Sequence, residues 1–372
     1  EDDGVLGDLY RFDPSSLHSW LITSVTSPPR MFAHGAAAKS VTEMLIYGGY
    51  RVTEDSEAEA SRLWVYDATA SLWSSSRFVS SVTNLWNYFP GIQYFEESDA
   101  AYITGGMYTD SPLDYQPEIR TATEMYAIQM TNLFRRLDWK NKQLESRATK
   151  PGLASLGSYT AMNNGTLYVY GGVAPCGSPL ADLWYYNTTY NYWMMGNQNP
   201  TIIPRSFGTV QSLTDTLFVS GGYKYNIGAA PSLQATDVPT GETWLYNTKT
   251  SAWTRCADGP PLTYAQSALV KVNGQDVIIL FGGILNGAPN SAFYVYYFGD
   301  TPPYQDQPTP TPTPTTRPGD YDADGFVDSR DLSRLVEKFA ASSPEVDLNG
   351  DGKVDALDLF LFSLNWEPTT GG

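Results

Sequence analysis

Apolar residues in the first 300 positions gather into short runs that end on paired glycines. MLIY, AYIT, LYVY, LFVS and IILF run into Gly48-Gly49, Gly105-Gly106, Gly171-Gly172, Gly221-Gly222 and Gly282-Gly283. A continuous apolar run closed by glycine predicts a buried strand that ends where the backbone needs positive φ or close approach. The pairs recur at intervals of about 50 to 66 residues, which predicts stacked or radially arranged units rather than independent domains. Tyr66 and Trp73, Tyr186 and Trp193, and Tyr246 and Trp253 follow the first, third and fourth pairs with one spacing, seven. They predict a third and a fourth strand per unit, with large flat fillers that pack one unit on the next.

This pattern resembles the kelch repeat over roughly residues 5 to 298. The resemblance implies an all-β propeller of four-stranded blades. Pro29-Arg30 and Pro204-Arg205 match the Pro-Arg that often begins the innermost strand of a kelch repeat, and His34 stands where such repeats often carry histidine. The second unit departs from the pattern: Tyr126 is followed by Trp139 thirteen residues later, which predicts an insertion or a longer outer hairpin.

The ends of the repeat region are read with the same ruler. Asp8-Leu9-Tyr10-Arg11-Phe12-Asp13 matches Asp182-Leu183-Trp184-Tyr185-Tyr186-Asn187, with Trp20 standing for Trp193. Residues 9 to 22 therefore read as the third and fourth strands of a unit, while Tyr264 to Phe298 supplies strands one to three of another. Six blades with about 60 residues missing upstream is the favoured expectation. Five blades closed by the N-terminal hairpin, or strands donated by a neighbouring molecule, are the alternatives.

After residue 300 the composition turns to alternating Pro and Thr. Residues 301–318 predict an extended polyproline spacer, with Thr309, Thr311 and Thr313 as candidate O-glycosylation sites. Beyond it the pattern changes again. Asp320, Asp322, Asp324, Gly325, Asp328 and Asp331 fall at positions 1, 3, 5, 6, 9 and 12 of a calcium loop. Asp347, Asn349, Asp351, Gly352, Asp355 and Asp358 repeat it about 27 residues on. Oxygen ligands at this spacing surround one hard cation, and Phe326 and Lys353 supply backbone carbonyls at position 7. The pattern predicts two bound Ca²⁺ ions. Each loop runs into a helix whose apolar residues share a face: Leu332, Leu335, Val336 and Phe339 in the first, and several of Leu359, Phe360, Phe362, Leu364 and Trp366 in the second. These faces are expected to bury each other.

Asp at position 12 and the lack of a helix leading into either loop resemble a dockerin domain over residues 319–367, followed by a tail, 368–372. By that resemblance the partner is a cohesin-like module or another copy of the protein, recognised through Ser329-Arg330 and Ala356-Leu357. The two pairs differ, which argues against a symmetric dual binding mode.

Charge sharpens this picture. The net charge is -17, and residues 319–367 hold 12 acidic and 4 basic residues, so about half of it sits in the small module. Crowded carboxylates repel around an empty loop, so folding there is expected to depend on the metal. An acidic chain of this kind is a poor fit to nucleic acid or an anionic membrane, and no run of about 18 apolar residues is present to span a bilayer. The opening EDDGVLGDLY lacks an initiator Met and a signal segment, so either a signal is removed or the sequence starts inside a precursor.

Candidate chemistry elsewhere is sparse. Copper radical oxidases share the kelch fold, but they need two His, two Tyr and a Cys–Tyr link at one site. This chain has only His18 and His34, placed in an outer and an inner strand. No paired carboxylates are assigned to a common site, so no catalytic residue is predicted. The loops between second and third strands, at 50–62, 107–123, 173–182 and 223–242, share one face. Tyr108, Tyr115, Tyr223 and Tyr225 are placed there to stack on sugars, and Arg30 and Arg205 to meet a carboxylate. Cys176 and Cys256 lie on the same face, where a disulfide is geometrically feasible. Asn164 and Asn187 begin sequons at hairpin turns. The expected function is that of a secreted, extracellular or cell-surface assembly protein without catalytic activity. Its dockerin would hold a propeller on a scaffold, a surface layer or a filament of like subunits. A dockerin-borne carbohydrate-active enzyme or a lectin-like glycan binder is the alternative.

Overall fold

The computed structural model describes residues 9–14, 18–22, 28, 31–51, 62–80, 87–108, 130–175, 179–199, 201–202, 204–224, 238–299, 319, 321, 327, 329–339, 343, 346–349, 352–363 and 366. The chain divides into two compact units, Glu1–Pro303 and Tyr304–Gly372. Among the described residues the first is mostly strands and the second carries two short helices.

Five antiparallel sheets follow one another along the first unit. The first is Met31–Ala38, Glu43–Arg51, Arg62–Asp67 and Leu72–Arg77. The second is Gly91–Phe95, Ala100–Thr104, Phe134–Asp138 and Gln143–Ser146, with Val79–Ser80 added in parallel at its outer edge. The third is Tyr159–Asn163, Thr166–Tyr170, Leu183–Asn187 and Tyr192–Met195. The fourth is Thr209–Ser212, Thr216–Ser220, Thr243–Asn247 and Ala252–Arg255. The fifth has three strands, Gln266–Val272, Gln275–Phe281 and Phe293–Tyr297. A separate hairpin, Leu9–Asp13 with His18–Ile22, precedes them.

The first strand of each sheet packs on the first strand of the next, in chain order. All five line one channel of about 540 Å³, to which they contribute His34, Gln93, Thr160, Gln211 and Ser267. The second strands of the second, third and fourth sheets lie between neighbouring sheets and are covered on both faces, which is why they read as continuous apolar runs. All five residues of Ala100–Thr104 are buried, as are the last four of Thr166–Tyr170 and of Thr216–Ser220. All ten glycines of the five pairs have positive φ, from +64° at Gly171 to +100° at Gly172.

The aromatic pairs sit directly opposite each other across the third and fourth strands: Tyr66 with Trp73, Tyr186 with Trp193, Tyr246 with Trp253. Their ring centroids are 5.1, 5.2 and 4.9 Å apart. In the second sheet Trp139 is not the counterpart of these tryptophans. It lies in the turn after Phe134–Asp138, and the paired positions are held by Leu137 and Leu144, themselves seven apart. Both leucines are buried in a core with Leu63, Ile92 and Ile103. Aliphatic volume replaces aromatic volume there, and the repeat is kept. The N-terminal hairpin departs by one place, since its register sets Phe12 opposite Ser19 and Trp20 opposite Arg11.

In the second unit α1 spans Ser329–Glu337 and α2 spans Ala356–Ser363. Val327, Leu335, Val346, Val354 and Phe362 form its buried core, with Tyr321, Leu332 and Leu348 packed around them.

Candidate metal centre and docking helices

Each helix begins with an aspartate that is tied to the loop before it. Asp358, in the first turn of α2, is fully buried. Its Oδ1 accepts the backbone N–H groups of Leu348 at 2.7 Å and Asn349 at 3.3 Å, and its Oδ2 accepts that of Asp355 at 2.8 Å. Burial alone would push this carboxyl up, but the hydrogen bonds to Asp355, Leu348 and Asn349 outweigh it and hold the group below its usual value. Asp331 repeats the arrangement at the start of α1: it is fully buried, and its Oδ1 accepts the N–H of Tyr321 at 2.7 Å. In both loops the donor lies ten residues before the aspartate, so this anchoring bond repeats with the spacing.

Further hydrogen bonds tie the described part of the second loop together. Asp347 Oδ2 accepts the N–H of Gly352 at 2.8 Å, and Gly352 turns the chain at φ +86°. Asp355 Oδ1 accepts the N–H of Leu357 at 2.9 Å, which caps the start of α2. Asp347 and Asn349 lie in the loop and Asp358 in the first turn of α2, and carboxylate and amide oxygens such as theirs suit a hard divalent ion. Asp358 Oδ1 already carries two amide donors and Oδ2 one, so its remaining acceptor capacity lies on Oδ2. Among the described residues no three His, Cys, Asp or Glu side chains converge on one point. Asp320, Asp322, Asp324, Phe326, Asp328 and Asp351 lie outside the described residues.

Val327 and Val354, at position 8 of each loop, are fully buried. They were not among the sequence candidates, although their equal place in the two loops is a signal that the repeat contains. Tyr321 also stacks on Phe362, with ring centroids 6.0 Å apart and planes 16° apart, which joins the first loop to α2.

The apolar helix faces do not bury as the sequence suggests. Leu335 and Phe362 enter the core, but Val336, Phe339, Leu357, Leu359, Phe360 and Trp366 are exposed. A unit this small has too little interior for them. Ala356 and Leu357 lie exposed at the start of α2. Ser329 and Arg330 open α1, and their side chains lie outside the described residues.

Residues 318–365 match the dockerin type I domain family. Dockerins of this type bind calcium, dock on cohesin modules and occur in extracellular proteins. The dockerin here comprises both loops and both helices. No kelch-repeat family matches the strand-rich unit. No curated protein matches the chain. Among the described residues no helix is long and apolar enough to cross a membrane.

In the strand-rich unit, Arg205 does not wait for a ligand carboxylate. It is fully buried, and its Nη2 lies 2.6 Å from Glu242 Oε2, while its Nη1 donates to the Glu242 carbonyl at 3.3 Å. Tyr223 packs edge-on against Tyr264, with centroids 5.9 Å apart. Arg30, Tyr115 and Tyr225 lie outside the described residues, as does the side chain of Tyr108. His34 opens onto the channel lined by the first strands, where burial presses its imidazolium toward the neutral form.

Asn164 sits at the turn between Tyr159–Asn163 and Thr166–Tyr170, and its Nδ2 donates to Asn163 Oδ1 and to the Thr214 carbonyl, each at 3.2 Å. Asn187 ends the third strand of its sheet, and its Oδ1 accepts the N–H groups of Thr189 and Tyr190. Cys256 is a free, half-buried thiol beside Tyr296. Cys176, Thr309, Thr311 and Thr313 lie outside the described residues.

Proposed function

We propose that this protein is an extracellular assembly component in which a kelch-type propeller is carried on a dockerin and held by a cohesin-bearing scaffold through calcium. The match of residues 318–365 to the dockerin type I domain carries this reading. The duplicated aspartate anchors at Asp331 and Asp358 support one ion in each loop, with Asp320, Asp322, Asp324, Asp328 and Asp331 as ligands in the first and Asp347, Asn349, Asp351, Asp355 and Asp358 in the second. Exposed Leu357 and Phe360 give α2 an apolar surface suited to a protein partner. The propeller part is supported by five sheets around one channel and by the glycine pairs that end their second strands. The role is binding rather than catalysis: the buried Arg205–Glu242 pair is internal, and the channel's polar groups among the described residues are neutral amides and hydroxyls beside His34.

The test is retention of the full chain on immobilised type I cohesin modules. Calcium-dependent retention that chelator abolishes, and that Leu357→Asp weakens, is the expected result. If calcium-loaded protein passes through a panel of such modules unretained, the reading fails.

A further inference from the structure

Every sheet from the first to the fourth presents the same face to the sheet after it, and the fifth presents that face to no following sheet among the described residues. The residue before each glycine pair lies opposite the first or second residue of the third strand: Tyr47 with Leu63, Thr104 with Phe134, Tyr170 with Leu183, Ser220 with Thr243, and Phe281 with Phe293. The first eight of these residues are between 0 and 3% exposed, whereas Phe281 is 36% and Phe293 42% exposed.

The glycines tell the same story. A Cβ on Gly105, Gly171 or Gly221 would meet the carbonyl of Ser155 at 2.9 Å, Arg205 at 2.5 Å or Leu262 at 2.6 Å, and one on Gly48 would collide with the Asn87 carbonyl. All four carbonyls lie on the approach to the next sheet. On Gly282 it would meet nothing within 4 Å. The amides of Gly106, Gly172 and Gly222 likewise donate to Ser155, Arg205 and Leu262, and the described residues give Gly283 no such acceptor.

The outer part of that face is nevertheless covered, by the N-terminal hairpin. Phe12 stacks on Phe293 with centroids 4.2 Å apart and planes 9° apart. Tyr186, which Phe12 matches in the repeat, likewise packs on Phe134 of the sheet before it, edge-on, with centroids 4.4 Å apart. On the hairpin's other side Leu9 packs in the core of Met31, Ile46, Tyr66 and Trp73. Leu183, which Leu9 matches, shares a core with Tyr246 of the sheet after it in the same way. The hairpin therefore occupies the place of a third and fourth strand between the fifth and first sheets.

We infer that Leu9–Ile22 is the outer half of a sixth sheet, and that Phe281, Gly282, Gly283 and Phe293 form an acceptor site for its inner half. The occupant is an antiparallel pair of strands N-terminal to Leu9 on the same polypeptide. Chain order selects this source, because in the first, third and fourth sheets the inner pair immediately precedes the outer pair. Its chemistry is set by the site. It brings apolar side chains over Phe281 and Phe293, a backbone carbonyl for the Gly283 amide, and backbone without side-chain bulk over Gly282.

The experiment uses a synthetic peptide with the sequence of residues 155–172, the inner pair of the third sheet, added to the full chain. Saturable binding is expected, with slowed hydrogen exchange at Gly283 and along Leu9–Asp13. Phe281→Asp, at a position 36% exposed, should weaken binding about tenfold or more. Fusing the same hairpin upstream of residue 1 should raise the melting temperature and abolish binding of the free peptide. Absence of binding, or protection only at other amides, overturns the inference. A concentration-dependent dimer that the peptide disrupts overturns the assignment of the occupant to the same chain. Cohesin retention is scored on the same samples, so this inference and the dockerin reading fail independently.

Discussion

At Glu242 two opposing effects act on one carboxyl. Burial pushes its pKa up, and the hydrogen bond and charge of Arg205, helped by Trp244 and Arg255, pull it further down, to a value below the usual 4.5. The folded form therefore holds its proton less tightly than the unfolded chain does. The stabilisation is whole above the unfolded value near 4.5 and is lost as pH falls through the depressed native value. Glu242→Gln keeps the shape but removes the charge facing the fully buried Arg205. It should cost about 2 kcal/mol at pH 7, within the range for hydrogen bonds to charged groups. Thermal melts at pH 7 and pH 3 check this: the gap between wild type and variant should narrow at the lower pH.

Between elements, the glycine pairs set how closely one sheet approaches the next. Gly171 and Gly282 have almost the same backbone, φ +64° and +65°. Alanine at either position incurs the left-handed penalty, roughly 1–2 kcal/mol. At Gly171 the new Cβ would also lie 2.5 Å from the Arg205 carbonyl, forcing the third and fourth sheets apart. Gly171→Ala should then cost roughly 2–4 kcal/mol in all, while Gly282→Ala stays at the backbone cost alone. Denaturant midpoints of the two variants measure the difference, and equal losses would contradict the packing argument. The same scale explains the second sheet. Its Leu137 and Leu144 keep the seven-residue spacing of the Tyr–Trp pairs, so the repeat conserves a paired, buried position rather than an aromatic one.

For the whole molecule, two compact units divide the work. The dockerin unit has a core of five fully or nearly buried apolar residues, too small to hold crowded carboxylates together without a cation. The strand-rich unit carries several separate apolar cores. Chelation is therefore expected to abolish one calorimetric transition, together with the helical circular dichroism, and to leave the melting of the strand-rich unit unchanged. A shift of both transitions would show that the sheets depend on calcium too.

The sequence by itself determined the features that repeat. Glycine pairs, Tyr–Trp spacing and the two calcium loops are legible because local backbone demands recur at fixed intervals: positive φ at Gly171, a sharp turn at Gly352, a capping carboxylate at Asp355. Whatever depends on a partner distant in the chain was hidden. Spacing alone cannot show that Arg205 is neutralised by Glu242, that Leu144 stands in for a tryptophan, or that Phe360 stays outside a core with no room for it. Nor can it show that Phe12 lies on Phe293, at the opposite end of the unit. That contact exists only because packing sheet on sheet brings the first and last strands together, and burial of apolar area rewards proximity in space without regard to distance along the chain.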